Sequence, residues 1–315
     1  MRNAYLAALY TLAKENRHVL ALVADNGAIV YDKFRQDFPK QFVNFGIAEA
    51  NMVSVAAGLA SSGKIPFAYT IANFLTMRAY EQVRNDVCLQ KQNVKLVGIG
   101  GGFVYSTLGP THHATEDIAI MKVLPNMTIL SPASPKEAYQ STFAAAAING
   151  PVYIRLGTTK EAELYSDEYH FELGKGIKLL NGEDLTLVAT GSIVKDVLEA
   201  AKELKQEGIS ARVINIHTIK PMDQDVLIEA ARETEVIITV EEHNIIGGLG
   251  SAVSELLLES GGSNIFFDRV GLKDCFCKDY GSHSDLKKAN GLSIGDIKER
   301  AIGLYEKKLS KRKMN

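Results

Sequence analysis

At 315 residues, with 46% apolar and 23% charged residues, the chain has the make-up of an ordinary globular protein and the length for two domains of roughly 150 residues each. That composition excludes disorder and collagen-like repetition, and three cysteines cannot build a disulfide scaffold. Lys plus Arg is 35 against 37 for Asp plus Glu, a formal net charge of -2, so no field of one sign would hold nucleic acid or an anionic membrane. The basic run Lys307-Lys308-Leu309-Ser310-Lys311-Arg312-Lys313 reads as a solvated helix end, where cations suit the dipole. No apolar stretch reaches the roughly 18 residues of a membrane span, and no signal-type segment follows Met1. A cytoplasmic protein without nucleic-acid or membrane partners is expected.

Apolar runs of strand length alternate with segments of helical period, the pattern of parallel sheet with crossover helices. Strands are predicted over 19–24, 42–45, 66–72, 94–99, 127–130 and 152–156, and helices over 48–62, 75–90, 116–123 and 135–148. The last helix opens with Ser134 as cap and Pro135 at the first helical position. From Gly157 to Lys175 the periodicity lapses into Thr158-Thr159-Lys160-Glu161 and Asp167-Glu168-Tyr169-His170, a stretch of linker composition. A second alternation follows, with strands at 185–189, 211–216, 236–241 and 265–270 and helices at 193–205, 224–232 and 251–259. The expected fold class is α/β: two doubly wound, mostly parallel sheet domains over 1–160 and 175–315.

Several motifs carry chemical content. Gly46-Ile47-Ala48-Glu49 places one carboxylate in the first turn of a helix with no further charge until Lys64. The helix dipole alone favours an acid there, but a carboxyl at the mouth of such an uncharged helix is also a candidate proton donor or hydrogen-bond partner. Ile71-Ala72-Asn73-Phe74 follows a strand end, where ligand crevices of open α/β sheets lie; Phe74 is either core or a platform for a flat ring. Gly109-Pro110-Thr111-His112-His113 sits on a loop after Gly100-Gly101-Gly102. Adjacent histidines in a loop point different ways, which disfavours chelation by the pair and leaves one of them near a ligand, or both as surface residues. Gly247-Gly248-Leu249-Gly250 lacks the order of a phosphate-binding loop and reads as close strand-to-helix packing. Cys275 and Cys277 lack the further ligands of a zinc set, and no metal-ligating residues are assigned in this chain. No Gly-Asp-Gly followed by Asn, the type of site that would hold a diphosphate through magnesium, occurs anywhere.

With these motifs together, the sequence resembles the transketolase family, specifically the C-terminal subunit of a split, two-chain transketolase. The resemblance rests on Gly46-Ile47-Ala48-Glu49, Phe74 to Arg78, Gly109-Pro110-Thr111-His112 with Glu116-Asp117, Leu124-Pro125-Asn126-Met127 with Ser131-Pro132-Ala133, and Val240-Glu241-Glu242-His243-Asn244 with Gly247-Gly248-Leu249-Gly250. It implies a pyrimidine-binding domain followed by a transketolase C-terminal domain, working with thiamine diphosphate to transfer a two-carbon ketol unit from a ketose donor to an aldose acceptor. Glu49 would contact the cofactor's aminopyrimidine and favour its imino form, so that the cofactor acts as its own base. Phe74 would stack on the pyrimidine, Ile71 would take the place of another pocket phenylalanine, and Asp25 would lie near the cofactor. His112 would serve at the reacting centre, with His113 and Arg155 toward substrate and Arg155 meeting its phosphate. Magnesium and diphosphate would be held mainly by an N-terminal subunit, in an α2β2 assembly that is active only when both chains are present.

Besides Ile71, the family pattern is broken at two further places. Leu108 stands where an acid usually contacts the donor hydroxyl, and Gly100 where a donor-binding histidine is expected. These departures predict a changed donor, since an apolar side chain cannot accept a hydroxyl proton. The competing readings are the beta subunit of a 2-oxoacid dehydrogenase decarboxylase, a 1-deoxyxylulose-5-phosphate synthase, and a non-catalytic relative that keeps the fold.

Overall fold

The structure, a computed structural model, describes residues 1–157, 161–166, 168–261 and 264–314. The expected linker therefore falls partly outside the described residues, at 158–160 and 167.

Among the described residues twelve strands form two sheets. Strands β1 (Val19–Val23), β2 (Phe42–Asn44), β3 (Ile65–Ile71), β4 (Lys95–Ile99), β5 (Thr128–Leu130) and β6 (Val152–Leu156) build most of the first sheet. They are followed by β7 (Ile177–Leu180), β8 (Leu185–Ala189), β9 (Ala211–Asn215), β10 (Thr218–Lys220), β11 (Val236–Asn244) and β12 (Phe266–Leu272). The strand orders are β10-β5-β6-β4-β3-β1-β2 and β12-β11-β8-β9-β7. Every pairing is parallel except β10 with β5 and β7 with β9, each at a sheet edge.

Strand alternation divides the core. Leu20, Leu22, Ala68 and Leu96 face the helices Glu49–Ser61 and Ala72–Arg78, in a cluster that runs on into Val188, Ile214 and Ile237 of the second sheet. Val19, Ala21, Phe67, Tyr69 and Val97 face the opposite side, where Tyr5 and Leu9 of the helix Arg2–Glu15 pack beside the helix Pro135–Ala147. The outer face of the second sheet is closed by the helices Val194–Gln206 and Ile294–Met314.

Three differences from the sequence reading have physical causes. The helix expected over 75–90 starts at Ala72, breaks at Ala79 and resumes over Tyr80–Gln82, with wider turns over Val83–Leu89. Thr76 donates to the Ala72 carbonyl at 2.8 Å, a back-bond that weakens the local ladder. Strand β10 belongs to the second half of the chain, yet it completes the first sheet, with Ser131 N–H donating to the His217 carbonyl at 2.7 Å. The basic tail lies on the helix Ile294–Met314, but Lys308 is buried and donates to the Thr234 carbonyl at 2.7 Å.

Candidate functional site

All the strands from β1 to β6 run parallel, so their carboxyl ends share one edge, and the site is built from the segments that leave it. After β1 the chain turns through Asp25 at φ 59°. Its amide donates to Asn44 Oδ1 at 3.1 Å, and Asn44 Nδ2 donates back to the Asp25 carboxylate at 3.3 Å. The same Asn44 oxygen accepts from Gly46 N–H at 3.0 Å. This fastening aims the chain into the helix Glu49–Ser61.

Glu49 opens that helix without a side-chain cap and is only 4% exposed. Position at the helix N-terminus favours its negative charge. Among the described residues its one side-chain hydrogen bond comes from Arg78 Nη1 to Oε1 at 3.0 Å, which leaves Oε2 without a hydrogen-bond partner.

Arg78 ends the helix Ala72–Arg78, which starts directly from β3 at Ile71. Four residues separate it from Phe74, so the two share a helix face, with the guanidinium carbon 3.7 Å from the ring centroid. The Phe74 ring also meets the His112 ring edge-on at 5.0 Å, and His112 in turn faces Tyr105 at 6.3 Å. Asn73 Nδ2 donates to the Thr111 carbonyl at 2.7 Å and holds the His112 loop in place. Asn73 Oδ1 is buried with no hydrogen-bond partner among the described residues. Glu49, Phe74 and His112 are thereby brought together, with Ile71, itself buried, one residue before the helix. Asp25 is exposed on the neighbouring strand end and bonds to Asn44.

His113 points away from His112, as the loop geometry predicts. It is buried edge-on against Phe103 at 5.3 Å. Burial lowers its pKa below the usual imidazole range, against upward pulls from the Ser106 backbone and Glu242. With Asn73, Pro110, Glu116, Asn244 and Cys275 it lines a cavity of about 450 Å³.

Arg155 is held inside the protein. Its guanidinium is buried, with Nε donating to Asp117 at 2.8 Å and Nη2 to the carbonyls of Ala114 and Glu242 at 2.9 and 3.0 Å. These bonds cross-link the two halves of the chain, because β6 carries the residue into the interior. Tyr153 donates to the same Asp117 oxygen at 2.6 Å.

The Glu241-Glu242-His243 motif is architectural. Glu241 accepts from Leu249 N–H at 2.7 Å and Gly250 N–H at 2.8 Å, so its carboxylate fills the helix N-terminus that a phosphate would otherwise seek. A Cβ on Gly248 would lie 2.1 Å from that carboxylate, which bears out close packing as the reason for the glycines. His243 Nε2 accepts from Ala119 N–H at 3.3 Å, so its Nδ1 must be the donor to the Asn244 carbonyl at 2.6 Å. Glu242 Oε1 accepts from His283 Nε2 at 2.7 Å and from Phe103 N–H.

Sequence reasoning did not assign Arg78 or Tyr105. The signal for Arg78 was its spacing of four from Phe74; for Tyr105 there was none, since a loop brings it to His112. Cys275 is exposed at the cavity rim, whereas Cys277 is buried and accepts from Asn290 Nδ2 at 3.1 Å.

Fold and site define a class: a two-sheet α/β chain that gathers a buried carboxyl, an aromatic ring and an imidazole at a parallel-sheet edge. Residues 1–161 match the family model described as transketolase, pyrimidine binding domain, and residues 174–297 that described as transketolase, C-terminal domain. The chain belongs to the transketolase family. It is 38% identical to a 6-deoxy-6-sulfo-D-fructose transketolase subunit, SqwH, from a Clostridium species, over 98% of this chain and 95% of that protein. It is 37% identical to an apulose-4-phosphate transketolase subunit from Actinobacillus succinogenes, over 96% of this chain and 98% of that one. A solved structure described as a split gene transketolase, inactive beta4 tetramer, superposes with a TM-score of 0.86 at 42% identity, covering 96% of this chain and 98% of its own.

Proposed function

We propose that this chain is the C-terminal subunit of a two-chain, thiamine diphosphate-dependent transketolase that moves a two-carbon ketol unit from a ketose to an aldose. The observation that carries the reading is Glu49: a buried carboxyl with one oxygen held by Arg78 and the other lacking a hydrogen-bond partner among the described residues, in contact through Arg78 with an aromatic ring. This arrangement fits the pyrimidine end of the cofactor. When bound, thiamine diphosphate supplies the electron sink for breaking and remaking a carbon–carbon bond beside a carbonyl.

The chain's own residues have distinct tasks. Glu49 would share a proton with the pyrimidine ring nitrogen through its free oxygen. Phe74 would stack on that ring, Ile71 would help wall the pocket, and Asp25 would lie near the same cofactor. His112, half-buried and carried on a loop held by Asn73, would donate toward an oxygen that gains negative charge and relay protons on sugar hydroxyls. His113 would reach substrate through the cavity it lines.

The sequence carries no Gly-Asp-Gly with a following Asn, so the diphosphate and magnesium are assigned to an N-terminal subunit in an α2β2 assembly. The substrate phosphate also needs another cation, since Arg155 is committed internally. Relatives at similar identity are named for 6-deoxy-6-sulfo-D-fructose and for apulose-4-phosphate, which makes those two the first to test beside xylulose 5-phosphate.

The test is reconstitution. The purified chain alone should show no turnover, and acceptor-dependent ketose transfer should appear on adding the N-terminal chain, thiamine diphosphate and magnesium. Robust turnover by the lone chain, or pyruvate-dependent dye reduction in place of ketose transfer, would overturn the proposal.

A further inference from the structure

We infer that Arg78 is a positioning residue for the cofactor's pyrimidine, setting the mutual orientation of Glu49 and Phe74 through one planar guanidinium. The inference rests on the thiamine diphosphate reading above and deepens it.

Three observations carry it. Arg78 donates to Glu49 Oε1 at 3.0 Å and lies over the Phe74 ring at 3.7 Å, so a single rigid group touches both residues assigned to the pyrimidine. The two ends of the ion pair are unlike: the Glu49 side chain is 5% exposed and that of Arg78 47%. A cation so exposed at the end of a seven-residue helix contributes little to the core, and among the described residues it has no other acidic partner. Its pairing does offset the desolvation of the Glu49 carboxylate, which would otherwise be buried without a counter-charge. Finally, the guanidinium occupies one oxygen of Glu49 and leaves the second. A lysine could supply the charge but not the flat surface over the ring, so the geometry calls for arginine.

The experiment uses the complex reconstituted with the N-terminal chain and reads the thiamine diphosphate Kd by calorimetry in the presence of magnesium, independently of turnover. Arg78→Met is expected to weaken binding roughly tenfold, the scale of one lost charge-assisted hydrogen bond. Arg78→Lys should recover part of that loss. On a Glu49→Gln background, Arg78→Met should cost much less than it does alone, because the arginine acts through the carboxyl. An unchanged Kd for Arg78→Met would overturn the inference. So would a tighter Kd, which would mark the guanidinium as a competitor for the ring's place, and so would an equal loss in both backgrounds. If Arg78→Met does not fold, the same cycle is run with Arg78→Gln. Failure of the wild-type complex to bind thiamine diphosphate would remove the functional reading and this inference together; normal wild-type binding with an unresponsive Arg78 removes the inference alone.

Discussion

The ring of Tyr105 stands where a side chain at Gly100 would have to go: a Cβ on Gly100 would lie 2.2 Å from the ring. Position 100 also has φ +88°, which side-chain-bearing residues rarely adopt. The histidine that the family pattern places here is thus excluded by an aromatic ring that has taken its space and faces His112. Gly100→Ala should lose about 2–4 kcal/mol of stability by urea unfolding, from strain plus overlap. Adding Tyr105→Ala should recover part of it, and a Gly100→Ala midpoint equal to wild type would show that the ring is not fixed there.

Arg155 and Asp117 form a buried pair, and Arg155→Met strips Asp117 of its counter-charge and two carbonyls of a donor. The expected loss is about 3–5 kcal/mol in unfolding free energy. A phosphate-binding arginine would behave otherwise, raising KM for a sugar phosphate at unchanged stability.

The pair of His283 and Glu242 makes stability depend on pH. Burial pulls His283 down, but the Glu242 carboxylate outweighs it and holds His283 above its ordinary value of about 6.5. Its contribution is therefore complete below that value and lost as pH rises through the raised one. Burial pushes Glu242 up, but His283 and the Phe103 N–H hold it below the ordinary carboxylate range, so its share fades only as pH falls through that lowered value. The difference in melting temperature between wild type and His283→Gln should be largest at about pH 5.5 and shrink on the alkaline side. A gap that widens toward pH 8.5 would contradict this pairing.

Glu49→Gln keeps the shape of the helix start and removes the acid. In the reconstituted complex, ketose transfer should fall roughly 10²–10⁴-fold, with circular dichroism unchanged. Undiminished transfer would withdraw the catalytic assignment of Glu49.

Much of the architecture was legible because it follows from period. The runs that became β1, β3, β4 and β6 are mostly apolar, as strands covered on both faces tend to be, with Lys95 and Arg155 as buried charges inside them. Strands β7 and β10 escaped notice because each is short, lies at an edge and pairs antiparallel, which leaves no apolar run. The placement of Glu49 at a helix mouth could be read from the absence of charge up to Lys64. The pairing of Arg155 with Asp117 was not legible because it depends on how β6 meets the helix Asp117–Lys122, a tertiary fact that neither residue's neighbours in sequence record. Tyr105 shows the same limit, since a loop and not a period delivers its ring.

Strand β10 has a consequence for any attempt to divide this polypeptide. A fragment ending near residue 160 would keep six strands of the first sheet but bare the flank of β5, inviting self-association through unpaired amides. The remainder would keep a three-residue ribbon with nothing to lie against. The two halves are stitched by a shared seam, and they would have to be inherited, expressed and engineered as one piece.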